Sequence, residues 1–590
     1  MYTPSSVYVG TDDFAKLVLE SKFFVDKSLF IKEFLEDSGE VALITRPRRW
    51  GKSLNLDMLG RFLAIEVDQH GTPIAQEDSL NRKLFAGGEV VYEEAPQQLA
   101  PLKIATQERL MRVYQGKFPV ISLGLKEVKG SSYDEVVKDV KLALCKVFKK
   151  HLYLLEGNVQ QYDRDTFQKY LEQSVSIVET KNGLYFLSEL LYQHFGQPVY
   201  ILIDEYDTPI NSAYLQLKQK DPEAFQKVLE LFRGLLGAAL KSNKCLQKGL
   251  VTGILRIAKA NIFSDLNNLR EYTLLDRRFA TSYGFTQIEV DGLLAQTAVR
   301  VSREEIRHWY NGYTFGGAVI YNPWSIMCCL GNDGELDHYW IDSGGTALID
   351  TVLEDELQED LQLLFQGQSI DRIIAKKIVF EELDNPDSLL TLLLFCGYLN
   401  PTAIDAPRNF YRLSVPNYEV SYIYEKRIIA WIGKKLHISS KEYVKLADLL
   451  VKGKLEAFQQ TLQQFLDQAV SFQHTGGAAE VFYNGFMLAF LSMLSSYYRI
   501  ESEYESGVGK ADVMLIPKSS SNHQALILEY KVSKEVEELP DTAKAGLAQL
   551  LAKDYAAKAR LEAHVQSILA VSLAFCGKQV AMEYEMIPKQ

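Results

Sequence analysis

Four short apolar runs punctuate the first half of the chain: VALIT (Val41–Thr45), FPVISLGL from Phe118, PVYILIDE from Pro198 and KGLVTGIL from Lys248. Runs of this length, bounded by turn residues, read as strands buried on both faces. Between them apolar residues recur at helical spacing, as in SLNLDMLGRFLAIE after the first run and in the amphipathic stretches reaching about Tyr192. Buried strands alternating with helices predict an α/β domain around a mainly parallel sheet.

From about Thr286 the pattern turns to mixed helices with aromatic loops, HWYNGYTF and VIYNPW. From Asp387 a helix, DSLLTLLLFCGYL, precedes NFYRLSVPNYEV, which reads as a β-hairpin. Helix then hairpin suggests a winged-helix-like module, and a plain packing connector fits the same pattern. Beyond about Leu455 come an apolar helix, AAEVFYNGFMLAFLSML, and two strands, ADVMLIP and ALILEYK. A polar turn near Ser520 separates these strands, and a helix, AKAGLAQLLAKDYAAKA, follows them. With 590 residues, more than one core can serve, three domains are expected, spanning 1–285, 286–454 and 455–590.

Composition narrows the partners. The formal net charge of -12 argues against a protein coated by nucleic acid through bulk electrostatics, though a local basic groove is compatible with it. The six cysteines lack C-x-x-C spacing and lack histidines at zinc-ligand spacing, so they read as free thiols in a reducing compartment. The N-terminus lacks a basic region followed by an apolar core, and the run from Leu389 is too short for a bilayer, which takes about 20 residues. A cytoplasmic protein away from the membrane is expected.

The strand at Val41 runs into RPRRWGKSL, where Gly51, Lys52 and Ser53 end a G-x-x-x-x-G-K-[ST] loop. Such a loop gathers backbone N–H groups and a helix N-terminus around phosphates. Lys52 is placed to reach the β- and γ-phosphates and Ser53 to hold Mg²⁺. Arg46 occupies the first glycine position, and Arg48 and Arg49 add charge. About 150 residues later, at the end of an apolar strand, Asp204 suits an outer ligand of that Mg²⁺ and Glu205 could orient an attacking water. GKS alone arises often by chance, and a helix cap with a solvated strand end is the plainer reading. The order of the two elements, each after a strand, favours ATP.

Near the C-terminus, Asp512 opens one strand, and Glu529, Tyr530 and Lys531 end the next. Alternation puts Glu529 and Lys531 on one face, and pairing as a hairpin brings Asp512 near Glu529. Two carboxylates can hold one or two Mg²⁺, and a lysine can orient water and stabilise charge in an in-line displacement. A cross-strand ion pair is the bland alternative.

RPRRWGKSLNL, VDKS (Val25–Ser28), LIDEYDTPI, TGILRIAKANIFSDLNNL from Thr252, YGFT from Tyr283, WYNGYTF from Trp309 and YNPW from Tyr321 resemble the predicted AAA-ATPase-like family over about Ser6–Pro323. That family is found fused to a nuclease domain, and arginine at the first glycine position is its habit. The resemblance implies a P-loop NTPase fold, and Thr252 and Arg256 as sensors of the γ-phosphate. The C-terminal order of helix acid, strand Asp, E-x-K and helix polar residue is similar to the PD-(D/E)xK nuclease superfamily, implying a restriction-endonuclease-like α/β fold. Carried over, Glu480 is the helix acid, Asp512 a metal ligand, Glu529 and Lys531 the E-x-K pair, and Gln549 the residue that supports the site or contacts DNA. Ala511 replaces the proline of the superfamily's name. Lys534, Lys544, Lys553 and Lys558 lie near the site in sequence, and each reads singly as an exposed helix charge.

The expected whole is a multidomain α/β protein: a P-loop NTPase sheet, a helical, winged-helix-like middle and a nuclease domain. It uses ATP and Mg²⁺ to cut nucleic acid, DNA ahead of RNA, with ATP as a switch. A homo-oligomer is compatible. The alternative is a nucleotide-controlled binding or signalling protein, or a defence effector, that does not cut.

Overall fold

The computed structural model describes residues 7–588 except 158, 242, 256–266, 298, 341–359, 361–362, 365–367, 376–385, 424–439, 469–482, 504–511, 519–522, 534, 553–558, 560–561, 563, and all of 484–496 but 487, 490 and 494. The chain divides into two compact units, Met1–Ser421 and Tyr422–Gln590.

In the first unit, β1 (Val41–Thr45), β4 (Val120–Gly124), β5 (Val199–Asp204), β6 (Leu246–Gly253) and β7 (Leu269–Tyr272) form one sheet in the order β4-β5-β6-β1-β7. Every neighbouring pair is parallel. β1 is buried along its whole length, as an apolar run in a sheet covered on both faces must be. The helix Lys52–Leu63 lays Met58, Leu59 and Phe62 against Ile44, Tyr200, Leu202 and Leu250. The expected strands stand at β1, β4, β5 and β6. β7, sequence LREY, was not foreseen: it is short and polar, and its place comes from pairing with β1.

A hairpin of β2 (Gly88–Tyr92) and β3 (Ala95–Leu99) lies between β1 and β4 in sequence, and another, β8 (Tyr313–Phe315) with β9 (Ala318–Ile320), follows the sheet. The helix Pro386–Phe395 precedes a hairpin of β11 (Asn400–Asp405) and β12 (Phe410–Ser414). Of the segment NFYRLSVPNYEV, expected to form the hairpin by itself, only FYRLS is strand, and its partner lies before it, because NYEV turns into a helix instead. β10 (Ile370–Ile373) adds to β12, giving a small antiparallel sheet.

The second unit has a mixed sheet of β13 (Tyr498–Glu503), β14 (Asp512–Pro517), β15 (Gln524–Val532), β16 (Ser567–Cys576) and β17 (Gln579–Pro588), adjacent in chain order. β15 and β16 are parallel; the other pairs are antiparallel. A parallel connection needs a crossover, and the helix Leu539–Ala552 lies within it. Its buried stripe, Leu539, Ala543, Gly546 and Leu550, has the spacing of one helix face. The two architectures are those of an α/β NTPase core and a nuclease-like α/β domain. Among the described residues, no helix is long and apolar enough to cross a membrane.

Candidate functional sites

The strand order explains the first site. β6 lies between β1 and β5, so the C-terminal ends of the three strands meet beneath the loop that follows β1. Ser53 Oγ donates to Asp204 Oδ2 at 2.5 Å, and Thr252 Oγ1 donates to Asp204 Oδ1 at 2.5 Å. One carboxylate thus joins the loop helix, β5 and β6. Lys52 is buried, and its Nζ donates to the carbonyls of Arg46 and Pro47 at 3.0 and 2.8 Å. Burial holds this ammonium below the ordinary lysine value, against the raising pull of Asp204, Asp207 and Glu205.

The loop geometry is specific to its residues. Gly51 sits at φ 76°, the left-handed region that favours glycine, and opens the helix. Arg49 (φ 66°) and Glu205 (φ 52°) share that region without being glycine. The Arg49 guanidinium stacks on Trp324, 4.0 Å from the ring centroid. Glu205 Oε2 accepts from Thr208 Oγ1 at 3.1 Å. A cavity of about 360 Å³ opens over the loop; Arg49, Gly51, Lys52, Ser53 and Glu205 line one part, and Val25, Phe285 and Trp324 another. That volume lies in the range of small-ligand sites.

Two residues have roles that motif reading missed. Arg46 is wholly buried and donates to the carbonyls of Thr45, Tyr272 and Phe279. Its guanidinium lies over Tyr283 and Phe315, and burial pulls its pKa down to about 10. It ties the loop to β7. Asp207 Oδ2 accepts from the backbone N–H groups of Ile254 and Leu255, fixing the chain just past β6. Burial raises its carboxyl above the ordinary value. The repeated acid in DEYD was the available signal for Asp207; Arg46 had none beyond its misfit with the general loop pattern. Arg256 lies outside the described residues.

In the second unit, Glu529 is wholly buried, and its Oε1 lies 3.4 Å from Lys531 Nζ. Lys531 Nζ also donates to Gln549 Oε1 at 2.8 Å. The expected lysine and helix amide therefore meet. β14 pairs Val513 with Leu528, so the same antiparallel register, carried one step on, sets Asp512 opposite Glu529. Positions directly opposite in an antiparallel ladder belong to one face, and Met514, two residues on, packs with Ile527 on that face. Glu480 lies outside the described residues, as do Lys534, Lys553 and Lys558; Lys544 is exposed. Among the described residues, no group of three or more histidine, cysteine, aspartate or glutamate side chains is placed to hold a metal ion. The donor chemistry that suits a hard divalent ion here is carboxylate oxygen, which Glu529 offers.

One residue of this face was missed. Ser572 interrupts the apolar run Ile568–Phe575 and pairs directly with Glu529 across β15 and β16. That interruption was the signal in the sequence.

Two family models match the chain. The one described as Predicted AAA-ATPase matches residues 8–83 and 89–263, and the one described as PD-(D/E)XK nuclease superfamily matches residues 478–585. A relative from Azotobacter chroococcum mcd 1, described as an uncharacterized protein in the vnfD 5' region, is 25% identical over 591 residues and covers 97% of each chain.

Proposed function

Since the chain carries a predicted AAA-ATPase domain and, toward its C-terminus, a PD-(D/E)XK nuclease superfamily domain, we propose that it binds and hydrolyses ATP and cleaves nucleic acid with Mg²⁺, ATP acting as the switch. The observation that carries the cleavage reading is the buried Glu529 set against Lys531 and Gln549, with Asp512 at the adjoining ladder position. An acid and a base enclosed at a sheet face cost desolvation that a plain surface ion pair avoids.

In this reading Asp512 and Glu529 would hold Mg²⁺, with Glu480 assisting. When bound, the ion supplies a water of lowered pKa and a clamp on the phosphate oxygens. Lys531, oriented by Gln549, directs the water and stabilises charge in the in-line displacement. In the first unit, Gly51 and the loop amides receive phosphate and Lys52 leaves the Arg46 and Pro47 carbonyls for it. Ser53 and Asp204 hold Mg²⁺, and Glu205 orients the attacking water. Arg49, at the cavity, helps hold the nucleotide, and Thr252 and Arg256 report the γ-phosphate. The working parts divide as 1–285 for ATP, 286–454 as a connecting middle and 455–590 for cleavage. DNA is the expected substrate, in the cytoplasm, and self-association is compatible with the account.

The test is cleavage of single- and double-stranded DNA and RNA by purified protein with Mg²⁺ or Mn²⁺, with and without ATP. Alanine at Asp512, Glu529 or Lys531 is expected to abolish cutting and leave ATP binding intact. Lys52→Ala is expected to remove ATP binding. A triple variant at 512, 529 and 531 that cuts like wild type refutes the site. Absence of cutting by wild type under every condition favours a nucleotide-controlled binding protein.

A further inference from the structure

We infer that Ser572 is a positioning residue of the C-terminal acid–lysine site, its hydroxyl orienting the Glu529 carboxylate when that carboxylate grips a divalent cation. The inference rests on the cleavage site proposed above.

Three observations converge on the residue. Ser572 and Glu529 are direct partners in the parallel β15–β16 ladder, and in-register neighbours project to the same face. Gly546 of the crossing helix sits over that face: a methyl group added there would collide with Ser572 Oγ and come within 3.7 Å of Lys531 Cε. The hydroxyl is therefore directed to the seam that holds Lys531 and, one helix turn on, Gln549. Finally, Ser572 is wholly buried and its Oγ finds no hydrogen-bond partner among the described residues.

A buried hydroxyl left unmet is destabilising. Its same-face neighbours along the strand, Ala570 and Ala574, are small, apolar and buried, so packing alone favours alanine at this position. An acceptor that turns toward Ser572 only in the loaded site accounts for the hydroxyl. Glu529 Oε1 lies against Lys531 in the described state. With a cation bound, Glu529 would turn from Lys531, and the Ser572 hydroxyl would donate to its carboxylate and hold it in place. Groups that orient metal ligands in this way change metal affinity about 10- to 100-fold.

The experiment uses the full chain without nucleotide and titrates Mn²⁺ by electron paramagnetic resonance against wild type, Glu529→Gln and Ser572→Ala, with thermal unfolding of each in parallel. Ser572→Ala is expected to weaken Mn²⁺ binding about tenfold or more while melting at or above the wild-type temperature, and excess Mn²⁺ is expected to restore its cleavage rate. Glu529→Gln is expected to lose the site. If Glu529→Gln binds Mn²⁺ like wild type, the cleavage site itself falls. If Glu529→Gln loses the ion and Ser572→Ala binds it like wild type, only the role of Ser572 falls. A Ser572→Ala protein that melts below wild type makes the hydroxyl structural and also overturns the inference.

Discussion

Arg46 decides what kind of loop this is. In the general pattern a glycine stands there because the turn is tight; here the side chain itself builds the turn by closing three carbonyls. Restoring the general pattern with Arg46→Gly leaves those carbonyls unmet and a hole beside Tyr283 and Phe315. Each unmet buried group costs about 1–3 kcal/mol, so the variant is expected to lose at least about 3 kcal/mol in denaturant unfolding; unchanged stability would refute the clamp. Lys52 makes a second residue-level prediction. Its folded value lies below the ordinary 10.5 because it is buried, so it surrenders its proton early as pH rises. ATP phosphates need the charged form. Affinity for ATP is therefore expected to fall with rising pH, with a midpoint below 10.5 that vanishes in Lys52→Ala. A midpoint at or above 10.5 contradicts that environment. The loop lysine and serine were legible from the sequence because their chemistry depends on local spacing. The Arg46 clamp was not, since Tyr272 and Phe279 lie more than two hundred residues away.

At the level of elements, continuous apolar runs betrayed β1, β4, β5 and β6, and a helix face and alternating strands betrayed the acid–lysine site. What escaped had its reason in partners. β7 is polar and short, and only the exposed edge of β1 makes it a strand. The strands β13, β16 and β17 that complete the mixed sheet were not foreseen, although β16 is among the most apolar segments of the chain. The helix crossing from β15 to β16 was foreseen with Gln549 on it, but its closeness to the sheet at Gly546 was not. Gly546→Ala forces a methyl onto Ser572 and toward Lys531. Such overpacking typically costs about 1–3 kcal/mol. The variant is expected to melt earlier and to cut more slowly, and Gly546→Ala combined with Ser572→Ala is expected to recover the lost stability. A single Gly546→Ala variant as stable as wild type would show the seam to be loose.

For the whole molecule, an AAA-ATPase-like domain and a nuclease superfamily domain fall in two compact units, and the cleavage proposed for the second draws nothing chemically from ATP. With a net charge of -12, the proposed nucleic-acid substrate would be held by local contacts, so binding is expected to weaken with salt by the slope of a few phosphate contacts, not many. The most direct measurement follows cleavage of a DNA substrate in Mg²⁺ by wild type, Lys52→Ala and Glu529→Gln, each with and without ATP. The account predicts that wild type cuts at a rate that changes on adding ATP, that Lys52→Ala cuts at one rate regardless of ATP, and that Glu529→Gln does not cut. Cleavage by Glu529→Gln at the wild-type rate would contradict it.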